Sequence, residues 1–309
     1  MASKTEDMKP RIGFIGIGNM GSRMSSRLIE SGYAVTVYDR SAKNMQILAK
    51  RGATMVDSPR RLAAECDIVM SSVSDDAAVE AVMFGPEGAI AGARDKTIFI
   101  DLSTVHPSTS RKIFESARAK GASMLDATVS GSTPQAEQGS LVVMVGGEKQ
   151  VFEQCKPILS VLGKEVIYVG PSGSGTAIKL VVNTLLGVGL QALAEAIALG
   201  EKAGLNRDTL LDLLGQTAVI SPAHKMKIEN VRQQKFPATF PVKLMHKDFG
   251  LIMRLATELS VPMPATAAAQ QMCAAQNAIG LEEDYSSTIR LMEELSCIPA
   301  TACWQKNTN

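Results

Sequence analysis

A chain of 309 residues is long enough for about two domains of roughly 150 residues each. Its 45% hydrophobic and 20% charged residues are those of an ordinary soluble globular protein and exclude a disordered or collagen-like chain. A net charge of +1 and an aromatic content of 4% argue against a basic nucleic-acid-binding face and against base-stacking platforms.

From the N-terminus, MASKTEDMKPR has no apolar run and carries acidic residues, so neither a secretory signal nor an Arg-rich transit peptide is expected. Arg11–Ile15 then reads as a strand and the following segment as a helix to about Ser31. Further strands are expected at Ala34–Tyr38, Ile68–Ser72, Ile98–Asp101, Ser123–Asp126, Val142–Val145 and Val166–Val169, with helical patterns between them. This alternation is the signature of a parallel α/β sheet. After Pro171-Ser-Gly-Ser-Gly175 the strand signal ends. Helices are expected at roughly Thr176–Ala203, Asp208–Leu214, Ala223–Gln234, Lys243–Leu259, Pro264–Ala278 and Tyr285–Leu295, before a polar tail.

 The stretch Ile178–Leu199 is apolar enough to be weighed as a membrane span. It carries Lys179, Asn183, Gln191 and Glu195 on nearly one helical stripe, which suits a buried helix with a functional face, so no membrane partner is expected.

The five cysteines, Cys66, Cys155, Cys273, Cys297 and Cys303, are widely spaced without a C-x-x-C pair. They read as reduced thiols in a cytoplasmic protein, not as a disulfide framework or zinc site. The three histidines, His106, His224 and His246, show no ligand spacing. They read as surface or loop residues, and no metal is expected. The sixteen methionines read as core filler.

The strand Arg11–Ile15 runs directly into Gly16-Ile17-Gly18-Asn19-Met20-Gly21, a G-x-G-x-x-G that opens a helix. Gly16 permits the tight turn, Gly18 lets the backbone approach a pyrophosphate, and Gly21 allows close packing of helix on strand. The helix N-terminus adds unpaired N–H groups and a positive dipole end. Asp39 closes the second strand, where it can accept from a ribose 2′-hydroxyl and favours NAD. The adjacent Arg40 and Ser41 suit a 2′-phosphate and favour NADP, which is weighted slightly over NAD. A ligand-free glycine turn and a solvated Arg40 are the competing readings. The fold expected is therefore α/β: an N-terminal Rossmann-type doubly wound sheet, residues 1–172, then an all-α domain, residues 173–309. A long interdomain helix joins them.

Lys179 sits in an apolar run, where an unpaired ammonium is costly unless it faces a polar site, and Asn183 lies one turn further on the same face. A lysine can supply both the proton and the positive charge that a developing alkoxide needs in carbonyl reduction. A structural ion pair with Glu195 or another carboxylate is the alternative. Ser130-Gly131-Ser132 follows a strand and offers hydroxyl and backbone donors for a carboxylate; the alternative is a plain turn with capping serines. Ser103-Thr104, at a strand's C-terminal end, lies where ligands sit in such sheets, unless it is a helix-capping pair. Lys247-Asp248 also reads as an exposed charge pair.

The motifs taken together make the chain resemble the β-hydroxyacid dehydrogenase family, which includes 3-hydroxyisobutyrate dehydrogenase, over about residues 11–295. Within it the likeness is greatest to the glyoxylate/succinic semialdehyde reductase branch. It rests on Gly13–Gly21 (GFIGIGNMG), Asp126–Leu141 (DATVSGSTPQAEQGSL), Gly175–Asn183 (GTAIKLVVN) and Phe240–Asp248 (FPVKLMHKD). The resemblance implies that Lys179 is the catalytic acid/base with Asn183 beside it, and that Ser130, Gly131 and Ser132 hold the substrate carboxylate. It implies that Ser103 and Thr104 flank the nicotinamide, and that Lys247 approaches cofactor and substrate across the domain cleft. It also implies a homodimer or homotetramer assembled through the helical domain. Three positions depart from the usual pattern: Thr128 stands where the family usually has proline, Asp39-Arg40-Ser41 where the branch commonly has N-R-T, and neutral Thr133 where basic residues are usual.

The function expected is hydride transfer between a nicotinamide and a small aldehyde acid or 3-hydroxy acid. Two alternatives are an imine reductase-like enzyme, against which Lys179 argues, and a catalytically silent dinucleotide-binding scaffold.

Overall fold

The structure, a computed structural model, describes residues 9–280 and 282–298; Cys303 lies outside the described residues. In chain order the first half comprises β1 (Ile12–Ile15), α1 (Asn19–Glu30), β2 (Val35–Tyr38), α2 (Ala42–Ala49), β3 (Thr54–Met55), α3 (Pro59–Glu65), β4 (Ile68–Ser71) and α4 (Asp76–Met83). It continues with α5 (Ala89–Gly92), β5 (Ile98–Asp101), α6 (Pro107–Arg118), β6 (Ser123–Ser130), α7 (Thr133–Gln138), β7 (Leu141–Gly147), α8 (Lys149–Leu162) and β8 (Gly163–Gly170). The strands form one sheet in the order β3-β2-β1-β4-β5-β6-β7-β8.

Apolar residues on both faces of each strand explain why these segments read as continuous hydrophobic runs. Ile12, Phe14, Val37, Met70 and Ile100 pack with Met24 and Leu28 of α1, Leu48 of α2 and Phe152 of α8 on one face. Ile15, Val69 and Phe99 point the other way, into Leu62 of α3, Val79 and Met83 of α4, and Ile113 of α6. Helices therefore cover both faces, which makes the sheet doubly wound.

The sheet is not parallel throughout. β6 and β7 pair antiparallel, with Asp126 opposite Gly146 and Thr128 opposite Met144. About ten residues separate the two strands, fewer than the dozen or more that a parallel return requires. The short α7 occupies that connection and ends on Gly139 in the left-handed conformation, φ 65°. β8 then runs parallel to β7 across α8. β3, a two-residue edge strand with both residues exposed, gives too short a signal to be read from sequence.

The second half comprises α9 (Ser174–Lys202), α10 (Arg207–Gln216), α11 (Pro222–Lys225), α12 (Ile228–Arg232), α13 (Val242–Glu258), α14 (Pro264–Ala278), a 3₁₀ turn at Tyr285–Ser287 and α15 (Thr288–Leu295). The single helix expected over Ala223–Gln234 is two short ones. The backbone tightens at Lys227, whose N–H donates to the carbonyl of His224 (2.9 Å) and whose ammonium reaches the buried Asp284 at 2.8 Å. The core of this half gathers Leu190 and Ile197 of α9, Met245, Phe249 and Ile252 of α13, and Phe236, Tyr285 and Ile289.

Two compact units divide between Lys179 and Leu180, whereas the sequence places the boundary near residue 172. The difference has a local cause: the first turn of α9 is hydrogen-bonded to β6, as described below, and belongs with the sheet. α9 is the one helix among the described residues that is long and apolar enough to cross a membrane.

Candidate active site

The sheet order reverses direction between β1 and β4, and in open α/β sheets ligands settle at the carboxyl ends of strands at such a switch point. The registers align these ends: Ile15 lies beside Tyr38 and Ser71, and Ser71 beside Asp101. The loops carrying Gly16–Gly21, Asp39–Ser41 and Ser103-Thr104 therefore leave the sheet along one edge.

Each glycine of the first loop has a different reason to lack a side chain. Gly16 has φ +90°, and a Cβ there would meet the carbonyl oxygen of Ser72 at 2.3 Å. A Cβ on Gly21 would meet the Gly16 carbonyl oxygen at 1.9 Å and the Phe14 ring at 3.2 Å, so α1 lies directly on the turn. Gly18 faces open space, with nothing within 4 Å of its Cβ position, as a backbone that must lie against a pyrophosphate requires. Gly18 is also the N-cap of α1 and contributes no side-chain cap, so the N–H groups of the first turn, including those of Asn19, Met20 and Gly21, are directed along the helix start. These residues fit a dinucleotide.

Asp39 holds this loop in place. Its carboxylate accepts from the Ile17 N–H (2.6 Å) and from the Ser41 N–H (2.7 Å). The Ile17 amide is thus spent on Asp39. Arg40 is exposed beside it, and Ser41 is the N-cap of α2 without a side-chain cap bond.

Ser103 ties the neighbouring loops together. Its hydroxyl donates to Asp101 (2.7 Å) and accepts from the Val73 N–H (3.0 Å), while Ser71 donates to the same Asp101 oxygen (2.7 Å). Burial raises the pKa of the fully buried Asp101, against the hydrogen bonds from Ser71 and Ser103. Thr104 is half-buried at the rim. Ser103-Thr104 is not a capping pair: His106 is the N-cap of α6, and its Nδ1 accepts from the Ser108 N–H at 3.3 Å. His106 is a loop residue, as expected, but a buried one; His224 is buried within α11, its Nε2 2.9 Å from the Leu186 carbonyl, and is neither the surface nor the loop residue expected.

At the far end of β6, Ser130 is half-buried and Gly131 exposed with φ +134°. Ser132 starts α7, and both its N–H (3.0 Å) and its hydroxyl (2.8 Å) donate to Gln135 Oε1. The turn is a donor-rich corner, but Ser132 spends its donors internally.

On α9, Lys179 is half-buried at the end of the first unit and Asn183 is one helical turn further along. Within the second unit, Asn183 is buried and its Nδ2 donates to Asp248 Oδ2 at 2.6 Å. An ionised carboxylate only accepts, so the bond fixes the amide's orientation. Asn183 Oδ1 is buried with no hydrogen-bond partner among the described residues. Lys247 Nζ lies 2.9 Å from the other Asp248 oxygen, and Asp248 is only 2% exposed. Asp248 is thus no surface charge. It joins two of the residues singled out in sequence, and its separation of 65 positions from Asn183 hides that link from any local pattern. Glu195, the alternative partner for Lys179, is instead hydrogen-bonded by Gln191 at 2.9 Å. Among the described residues no cluster of three metal-ligating side chains occurs.

The family model for the NAD binding domain of 6-phosphogluconate dehydrogenase matches residues 11–170, and that for the NAD-binding region of NADP-dependent 3-hydroxyisobutyrate dehydrogenase matches residues 173–292. The chain is 38% identical to 2-(hydroxymethyl)glutarate dehydrogenase of Eubacterium barkeri, over 93% of this chain and 96% of that protein. It belongs to the NAD(P)-dependent β-hydroxyacid dehydrogenases. Glyoxylate/succinic semialdehyde reductase 1 of Arabidopsis thaliana is 35% identical, with 91% of this dehydrogenase and 98% of the relative covered. The fold matches that of the Mycobacterium tuberculosis 3-hydroxyisobutyrate dehydrogenase solved with L-serine: TM-score 0.84, 29% identity, 92% of this chain and 99% of that one. A nicotinamide dinucleotide is the cofactor of this dehydrogenase family, and the glycine loop's geometry fits it.

Proposed function

We propose that this dehydrogenase interconverts a short aldehyde acid and the corresponding hydroxy acid, with Lys179 as the general acid in reduction and the general base in oxidation. The observation that carries this reading is the placing of Lys179 and Asn183 on successive turns of one helix, the asparagine pinned by a buried carboxylate. When bound, the dinucleotide supplies the hydride for reduction and takes it back in oxidation. As the carbonyl oxygen gains charge, the Lys179 ammonium stabilises it and gives it a proton; in oxidation the amine takes that proton from the alcohol. Asn183 orients the same oxygen. The Ser130 hydroxyl and the Gly131 N–H bind the substrate carboxylate, at a corner that Ser132 holds through Gln135. Ser103 and Thr104 border the nicotinamide.

The substrate class is supported by the relatives' names. 2-(Hydroxymethyl)glutarate and 3-hydroxyisobutyrate share a hydroxymethyl group on the carbon bearing a carboxylate, and glyoxylate and succinic semialdehyde are aldehydes with a carboxylate nearby. NADP is favoured over NAD, because Asp39 is turned onto the loop and Arg40 remains exposed beside the α2 N-terminus. The reading includes a cytoplasmic location, supported by the buried free thiols Cys66, Cys155 and Cys273, and a homodimer or homotetramer without nucleic-acid or membrane partners.

The test is oxidation of NADPH and NADH with glyoxylate, succinic semialdehyde, methylmalonate semialdehyde and tartronate semialdehyde, and the reverse reaction with 2-(hydroxymethyl)glutarate. Lys179→Met should lower kcat at least about 10²-fold and leave dinucleotide affinity near normal, since the lysine serves the substrate oxygen and not the phosphates. Substantial retained turnover would return Lys179 to a structural role.

A further inference from the structure

The reading of Lys179 leaves open what fixes the start of α9. The segment leading into it, Gly170 to Gly175, contains three glycines, two of them at positive φ: Gly170 at 134° and Gly173 at 89°. Such a backbone does not hold a helix end in one place by itself. The first N–H groups of any helix also lack intrahelical partners.

Both needs are met from β6. Asp126 is fully buried, and its carboxylate accepts from the Gly173 N–H (2.8 Å) through one oxygen and from the Thr176 N–H (2.9 Å) through the other. Two residues along the strand, and so on the same face, the buried Thr128 hydroxyl donates to the Gly175 carbonyl at 2.6 Å. In α-helical geometry that carbonyl is the acceptor for the backbone N–H of residue 179. The strand therefore grips donors and an acceptor of one helical turn at once, and the acceptor is the one to which Lys179 is tied.

Two glycines show how close this approach is. A Cβ on Gly175 would fall 2.1 Å from the Asp126 carbonyl oxygen and 2.8 Å from that of Met144. One on Gly146, opposite Asp126 in the sheet, would fall 2.7 Å from both the Asp126 carboxylate and the Gly175 nitrogen. Any side chain at either place would lift the helix off the strand.

We propose that Asp126 and Thr128 are positioning residues for the reaction: together they seat the first turn of α9 and thereby place the Lys179 ammonium for proton transfer. This rests on the assignment of Lys179 as the acid/base. The hydroxyl is a feature of this chain, standing where the family it resembles usually carries proline.

Thr128→Val keeps the side chain's shape and removes the donor; Thr128→Ser restores the donor. Full-length enzyme is assayed with whichever aldehyde acid of the panel turns over fastest, alone and in the Lys179→Met background, and dinucleotide affinity is measured separately. A displacement of about 1 Å in a reacting group costs up to about 10²-fold, so Thr128→Val should lower kcat at least about tenfold. Dinucleotide Kd should stay within about twofold, and Thr128→Ser should recover most of the lost kcat. Because the hydroxyl acts through the lysine, Thr128→Val should add little further loss once Lys179 is methionine. Asp126→Asn should follow the same pattern where it folds, and the Thr128 series decides where it does not. Wild-type kcat in Thr128→Val, with Lys179→Met inactive, overturns the seat and leaves Lys179 standing. A loss that serine does not rescue, or that falls equally on dinucleotide binding, also overturns it. Full turnover in Lys179→Met overturns the lysine assignment and the seat with it.

Discussion

Arg40 and Asp126 illustrate how differently a charge acts when exposed and when buried. Arg40 stands in water beside the N-terminus of α2, so it matters only when an anion arrives. Arg40→Ala should weaken NADPH by about 1.5–3 kcal/mol, the range for a charge-assisted hydrogen bond, and hardly change NADH. Calorimetric titration with each dinucleotide checks this, and equal effects on the two would assign the loop to NAD. Asp126 has the opposite situation. Burial pushes its carboxyl up to about 6, against the pull of the Gly173 and Thr176 N–H groups. A carboxyl whose folded pKa is raised favours the native state most at low pH, and that contribution is lost as pH rises through about 6. A rise of roughly two pH units corresponds to at most about 3 kcal/mol. The stability difference between wild type and Asp126→Asn should therefore change between about pH 4 and 6 and be level above about 7. Urea denaturation at several pH values measures it, and a pH-independent difference would show that Asp126 titrates normally.

Element by element, the sequence was legible where the chemistry is local. Gly16, Gly18 and Gly21 announce their loop because each has its own steric reason to be glycine, and Ile98–Asp101 and Pro264–Ala278 have the extents read from periodicity. The reversal at β7, the bond from Asn183 to Asp248 and the grip of β6 on α9 depend on partners far apart in the chain. No window of sequence displays them: the strands expected there left room between Asp126 and Val142 for a parallel return, and only the extension of β6 to Ser130 shortens the connection. Glycines inside helices make the same point, since their meaning depends on the neighbouring element. On α9 a Cβ at Gly187 would fall 2.4 Å from the Phe249 ring of α13, whereas Gly250 of α13 has nothing within 4 Å. Gly187→Val should therefore lower stability by about 1–3 kcal/mol through overpacking. Gly250→Ala should raise it by about 0.5–1 kcal/mol through helix propensity alone. Melting midpoints that move in the same direction would refute the packing argument.

At the scale of the whole molecule, α9 presents an apolar stripe to solvent. Val181, Leu185 and Leu199 are 56%, 73% and 73% exposed, and intervals of four and fourteen residues place them on one stripe of the helix. Full burial of one such side chain contributes about 1.5–3 kcal/mol, so leaving three in water is costly. By length and composition alone the helix could be covered by lipid, since it is long and apolar enough to span a membrane. The exposed Glu195 borders the stripe, and a carboxylate in hydrocarbon costs several kcal/mol, whereas the polar rim of a protein interface accommodates one. A second copy of the same chain is therefore the proposed cover, with closed two-fold symmetry the simplest arrangement. The wild-type enzyme should sediment as a dimer or tetramer at micromolar concentration, and its melting temperature should rise with concentration. Leu185→Glu places a charge in the centre of the stripe and should shift sedimentation towards the monomer and remove that concentration dependence. A monomeric wild type, an assembly indifferent to Leu185→Glu, or flotation of the protein with phospholipid vesicles would each overturn this account of the stripe.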